Sequence, residues 1–171
     1  MRRRLGTWLL VGLSTVGCAT TGTLKNGVYH GDHISYRIGP VGPGWTRLKV
    51  DHQNDLAWHN EAKEAVMHVD SSCDPAFDIP LIALRMHLLI GLTDRQIVSE
   101  ETVPMDGREA LRTHVRAKLD GVPRDILLQI LKKDECVYDF GLITPSGPSF
   151  DEALGDFDQM LAGFTTNTGK S

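Results

Sequence analysis

Two clusters have residue types and spacings that could do chemistry. His30-Gly31-Asp32-His33 sets two imidazoles and a carboxylate within four residues, a donor set that suits zinc or copper. A metal site needs further ligands and groups that orient them. None can be assigned along the chain, so His30, Asp32 and His33 are a weak metal candidate inside a segment read as a solvated loop. Arg112, His114, Arg116 and Lys118 stand at alternate positions, so they share one face of a strand. A concave face of that kind could hold a carboxylate, a phosphate or a sugar acid, because guanidinium forks bind such groups in pairs of hydrogen bonds. The competing reading, which we prefer, is a solvated face whose cations pair with acids on neighbouring strands.

Catalytic signatures are sparse. No Gly-x-Ser-x-Gly marks a nucleophile elbow, and Ser146 sits between Pro145 and Gly147, which is turn chemistry. No Gly-x-Gly-x-x-Gly stands between a strand and a helix. Adjacent acids occur at Glu100-Glu101, Asp134-Glu135 and Asp151-Glu152, where solvated charge at turns and helix starts is the simplest reading. The expectation is therefore a protein with no catalytic residue, no cofactor and no resident metal. An envelope hydrolase or metalloenzyme is the least favoured alternative.

The start of the chain carries a stronger signal. Arg2-Arg3-Arg4 precedes an apolar stretch from Leu5 to Val16, then Gly17, Cys18 and Ala19. A basic head, a short apolar run and a small residue at the cut describe an export signal. The run is about a dozen residues, well short of the roughly 20 that span a bilayer. The cysteine directly after the cut makes residues 1–17 resemble a bacterial lipoprotein signal, although Thr15 stands where such signals usually carry Leu, Val or Ala. The resemblance implies palmitate and further acyl chains on Cys18, anchoring a mature protein in the cell envelope facing the periplasm. Ala19 in place of Asp points to the outer membrane.

Removing residues 1–17 removes three arginines and no acids, which takes the net charge from −4 to −7. An acidic body repels nucleic-acid phosphates, so no nucleic-acid partner is expected. Cys73 and Cys136 remain, and an even count in an exported chain suggests a disulfide. Closing a loop of about 60 residues would stabilise the fold by about 4 kcal/mol in the chain-entropy picture. Two buried thiols are the other reading.

These residues sit in one predicted domain of 28–164, between a lipidated, flexible tether at 18–27 and a disordered tail at 165–171. Alternation predicts strands at 33–38, 47–50, 56–59, 65–70, 96–103, 111–119, 124–132 and 136–143. Asp120-Gly121 is the strongest hairpin signal. Phe77, Leu81, Leu84 and Leu88 repeat at helical spacing, and the apolar 77–90 helix is expected to be well buried. Phe150, Leu154, Phe157, Leu161 and Phe164 predict a second helix over 150–163, with Ser149 and Glu152 forming a capping box.

Tyr36-Arg37-Ile38, the corner Pro43-Gly44-Trp45, and Phe157 and Phe164 near the end resemble the PsbP-like superfamily over about residues 33–164. That superfamily includes extrinsic photosystem subunits and a nuclear-import cofactor that binds a small GTPase. The insertion of Gly39-Pro40-Val41-Gly42 before the corner departs from it. The resemblance implies an α+β fold, with an antiparallel sheet of about six strands and two main helices packed on it. It also implies a non-enzymatic module that binds an envelope protein partner. Trp45 and Trp58 are the first candidates for that contact. The alternative is a periplasmic carrier of small anions using Arg112–Lys118.

Overall fold

The computed structural model describes residues 22–50 and 54–168. Cys18 and the signal segment 1–17 lie outside the described residues. A seven-stranded antiparallel sheet runs in the order β4 (Thr46–Arg47), β5 (Leu56–Asn60), β6 (Ala65–Ser72), β10 (Cys136–Pro145), β9 (Val122–Lys133), β8 (Arg108–Leu119) and β7 (Thr93–Met105). A separate three-stranded sheet holds β1 (Thr23–Lys25), β2 (Val28–His30) and β3 (Ser35–Arg37). The helices are α1 (Leu81–Leu88) and α2 (Pro148–Ala162), with a 3-10 turn at Pro75–Phe77 before α1. The expected α+β class with an antiparallel sheet and two packed helices is what the chain forms.

The long meander β7–β8–β9–β10 follows from its turns. Each of its three connections has two residues, and both adopt left-handed backbone angles: Asp106-Gly107, Asp120-Gly121 and Asp134-Glu135. Such turns match the twist of the strands they join. The register then puts one side-chain set of each strand on each face.

The face under α2 holds the main core. Phe157 and Met160 of α2 are fully buried against Met67, Phe140 and Leu142, with Tyr36, Tyr138 and Phe164 closing one end. Burying one such side chain stabilises the fold by about 2–3 kcal/mol. On the other face, Leu84 of α1 packs on Ile130 and Val137, and Leu89 packs on Val115, Ala117, Ile126 and Leu128. Cys73 and Cys136 form a disulfide that ties the segment leading into α1 to the start of β10. Such bonds persist in oxidising compartments, which points to an extracytoplasmic location.

Several expectations need correction. Strand β1 at Thr23–Lys25 falls within the stretch read as a tether, because Asn26 and Gly27 take left-handed angles and turn β1 back onto β2. The residues Thr165 and Thr166, read as tail, are held by hydrogen bonds to Asp106. Helix α2 starts at Pro148 after Gly147, and no side chain caps it, so Ser149 lies inside the helix. The first helix is shorter than 77–90, and Leu84 is its one buried residue.

Candidate binding surface

The short, largely open α1 creates the most distinctive surface of the molecule. Its sequence, LIALRMHL, is apolar nearly all round, but a sheet can cover only one side of a helix. Ile82 and Met86, one turn apart, face away and are 54% and 58% exposed, and Ile90 just past the helix end is 75% exposed. Ile97 of β7 pairs with Val115, and Leu119 pairs with Val122, so all three are on the α1 side of the sheet. Of ten exposed large apolar residues among those described, nine lie between Phe77 and Val122, and Leu48 alone lies elsewhere. Isolated exposed apolar residues are ordinary, whereas a cluster marks a contact surface. Strand β7 adds an open sheet edge of 13 residues, nearly all exposed. Its bulges fall before Ser99, and the ladder from Ser99 to Met105 is regular. Arg85 of α1 bridges to Glu100 of β7 at 3.1 Å and ties helix to edge.

The cation row lies on the opposite face, beneath α2, and every member has a partner. Arg112 donates to Gln129 Oε1 at 2.9 Å and to Asp158 Oδ1 at 2.7 Å. His114 Nε2 lies 2.7 Å from Asp125 Oδ1, and its ring stacks on Phe150 with centroids 4.2 Å apart. Arg116 Nε donates to the same Asp125 oxygen at 3.0 Å, and Lys118 pairs with Asp94 at 2.7 Å. Burial alone would raise the Asp125 carboxyl, but hydrogen bonds from His114 and Arg116 outweigh it and hold it below the usual range. All four members are engaged in ion pairs, with Arg112 and His114 covered by α2 and the Arg116 and Lys118 side chains about half exposed.

The other candidates are also placed. His30, Asp32 and His33 are all exposed, and His30 Nδ1 lies 3.2 Å from Ser35 Oγ. Among the described residues, no three His, Cys, Asp or Glu side chains form a group that could hold a metal. Trp58 is 5% exposed within the core, so it cannot serve as a surface contact. Trp45 packs against the same core and donates from Nε1 to Asp156 at 2.8 Å. Trp58 is thus a core residue, while Trp45 is half-buried and tied to α2 through Asp156.

One buried polar group was not foreseen. Asp139 of β10 lies opposite Asp70 of β6, and His68 lies opposite Gly141. A side chain at Gly141 would collide with the His68 ring. Burial, and then the charge of Asp70, push Asp139 up to about 7. Burial, and then the charge of Asp55, push Asp70 up to about 6. His68 keeps part of its surface open but is packed densely enough that burial lowers it to about 4. Alternation identifies these as strand residues; only the β6–β10 register brings them together.

No helix among the described residues is long and apolar enough to cross a membrane. No protein-family model matches the chain, and no curated protein matches it in sequence. Solved structures do. The cyanobacterial PsbP protein of Synechocystis sp. PCC 6803, CyanoP, superposes with a TM-score of 0.53 at 16% identity, covering 91% of this chain and 97% of that one. LpqN of Mycobacterium tuberculosis, described as involved in cell envelope biogenesis, gives 0.55 at 14%, covering 80% and 86%. The Ran-binding protein Mog1p of Saccharomyces cerevisiae gives 0.53 at 12%, covering 82% and 90%. At these identities the likeness is one of fold, and the chain has the α+β fold that CyanoP, LpqN and Mog1p share.

Proposed function

We propose that this protein is an exported, lipid-anchored binding module of the bacterial envelope, without enzymatic activity of its own, and that it meets a protein partner along β7 and the adjoining α1. One observation carries the reading: of ten exposed large apolar residues among those described, Ile82 and Met86 stand on the open side of α1, Ile90 follows it, and Ile97, Leu119 and Val122 lie on the same side of the sheet. Leaving such a surface in water is unfavourable by about 25 cal/mol per Å² of apolar area, so it is a contact waiting for a partner. The open backbone groups of β7 could accept an added strand along the regular Ser99–Met105 ladder. The disulfide and the export signal support the location. The fold shared with a Ran-binding protein and with an envelope-biogenesis protein supports a binding role in the same spirit. The anion-carrier reading loses ground because its four cations are already paired.

The test has two arms in intact cells. Labelled palmitate should enter the native chain and not Cys18→Ser, which should leave the membrane fraction. Replacing Ile97→Asp should remove a stoichiometric protein adduct that the native chain forms on crosslinking. Labelling of Cys18→Ser, or an unchanged adduct with Ile97→Asp, would contradict the reading.

A further inference from the structure

Strand β7 ends the sheet on one side, and the backbone groups on its free edge decide what it can accept. Asp106-Gly107 is a two-residue turn, so Met105 and Arg108 exchange backbone hydrogen bonds and the pairs alternate from there. Met105, Val103, Glu101 and Ser99 therefore bond inward to β8. The N–H and C=O groups of Glu100 and Thr102, and the carbonyl of Pro104, point outward. Bulges end the regular stretch before Ser99, and Pro104 removes a donor at the other end. The window admits one short strand and not an indefinite stack of edges.

Side chains along the window define what that strand carries. Val103 and Met105 pack toward the core beneath α2, and alternation puts Glu101 on their face. With Leu161 and Phe164 at the far end of α2 they surround a cleft of about 400 Å³. Its floor is apolar, and the carboxylates of Glu101 and Asp158 stand at its rim. Arg112, across the ladder from Glu101, is taken by Gln129 and Asp158, so the Glu101 charge is left uncompensated among the described residues. On the other face Glu100 is engaged by Arg85, while Glu109, opposite Pro104, adds an exposed carboxylate. An aliphatic stem ending in a cation fits an apolar floor with an acidic rim. A second copy of this chain does not fit. Antiparallel pairing of two such windows sets the two Glu101 carboxylates opposite or diagonal to each other on one face.

We propose that the window from Glu100 to Pro104 accepts an extended basic segment of the partner protein, with a lysine or arginine side chain of that segment lying in the cleft at the end of α2 and pairing with Glu101. This rests on the protein-partner reading above and names the chemistry of the partner: a cationic strand. Backbone hydrogen bonds supply affinity and the acidic cleft supplies selection, the division found in strand addition. The alternate side chains of the added strand lean to the opposite face, the side on which α1 lies.

Two synthetic peptides give the direct test: an acetylated Thr-Lys-Val-Lys-Val-Lys-Thr amide, and the same peptide with Glu in place of each Lys. Fluorescence anisotropy with the full chain in detergent, at low ionic strength, should show the lysine peptide binding at least about ten-fold more tightly than the glutamate peptide. Glu101→Lys should weaken the lysine peptide at least about ten-fold. Thr102→Pro removes an outward N–H and leaves the inward ladder to β8 intact, so it should abolish binding in a chain whose urea midpoint is unchanged. Equal affinity for the two peptides, no binding of the lysine peptide, or undiminished binding to Thr102→Pro would each overturn the proposal. In cells, the protein adduct of the native chain should be lost from Glu101→Lys. An adduct that persists in Glu101→Lys would overturn the basic strand and leave the protein-partner reading in place. No adduct from the native chain would remove both.

Discussion

Replacing Asp139→Asn should stabilise the protein in alkaline solution and leave it nearly unchanged in acid. Asp139 Oδ1 is cut off from solvent and has no hydrogen-bond partner among the described residues. Burial and the facing Asp70 raise its carboxyl from the ordinary 3.8 to about 7. Between those values the folded chain holds a proton that the unfolded chain has released, so stability falls as pH rises through the window. At about 1.4 kcal/mol per pH unit, the ionised form costs the fold at most about 4 kcal/mol above pH 7. Asparagine removes the charge but still needs a partner for its amide, so a gain of about 2–4 kcal/mol at pH 8 is expected. In a domain of this size that is roughly 5–10 °C in melting temperature. His68, lowered to about 4, acts in the opposite sense, since stability gained by its neutral state rises with pH between 4 and its ordinary 6.5. Both proteins share that contribution, so it cancels in the difference. Urea unfolding of the two proteins at pH 4 and pH 8 is the assay. A difference that does not depend on pH, or a loss of stability at pH 8, would refute the reasoning.

Three further outcomes follow from other contacts. Reducing the Cys73–Cys136 bond, which closes 63 residues of chain, should lower the unfolding free energy by about 4 kcal/mol, read as a shift in urea midpoint. Asp125→Ala removes the shared partner of His114 and Arg116 and should destabilise by about 3 kcal/mol, whereas a free anion site would tighten or tolerate the change; equilibrium unfolding distinguishes them. Ile82→Ser with Met86→Ser, both on exposed positions, should change stability by no more than about 0.5 kcal/mol while weakening the protein adduct that the native chain forms on crosslinking.

How far the fold could be read ahead depends on how local its signals are. The β8–β9 hairpin is written in strict alternation on either side of Asp120-Gly121, and α2 in the four-and-three spacing from Phe150 to Phe164. The β1–β2 hairpin carries an equally good signal in Asn26-Gly27, but its strands have three residues each, too few for alternation to stand out from a tether. Helix α1 was legible as a helix and not as a surface. An apolar helix implies burial only if partners exist for all its sides, and the sheet supplies one. The site chemistry was least legible, because its partners are far apart in sequence. Arg112 meets Asp158 and Lys118 meets Asp94 through tertiary packing and strand pairing. The facing of Asp70 and Asp139 needs the β6–β10 register, which neither strand specifies alone.

The decisive measurement is photocrosslinking in living cells from a reactive side chain placed at Ile97, compared with one at Leu48. A binding surface built on α1 and β7 predicts a discrete protein adduct at position 97 that is absent at position 48. An adduct at 48 with none at 97 would contradict it, since contact would then be made by the sheet edge that carries almost no exposed apolar surface.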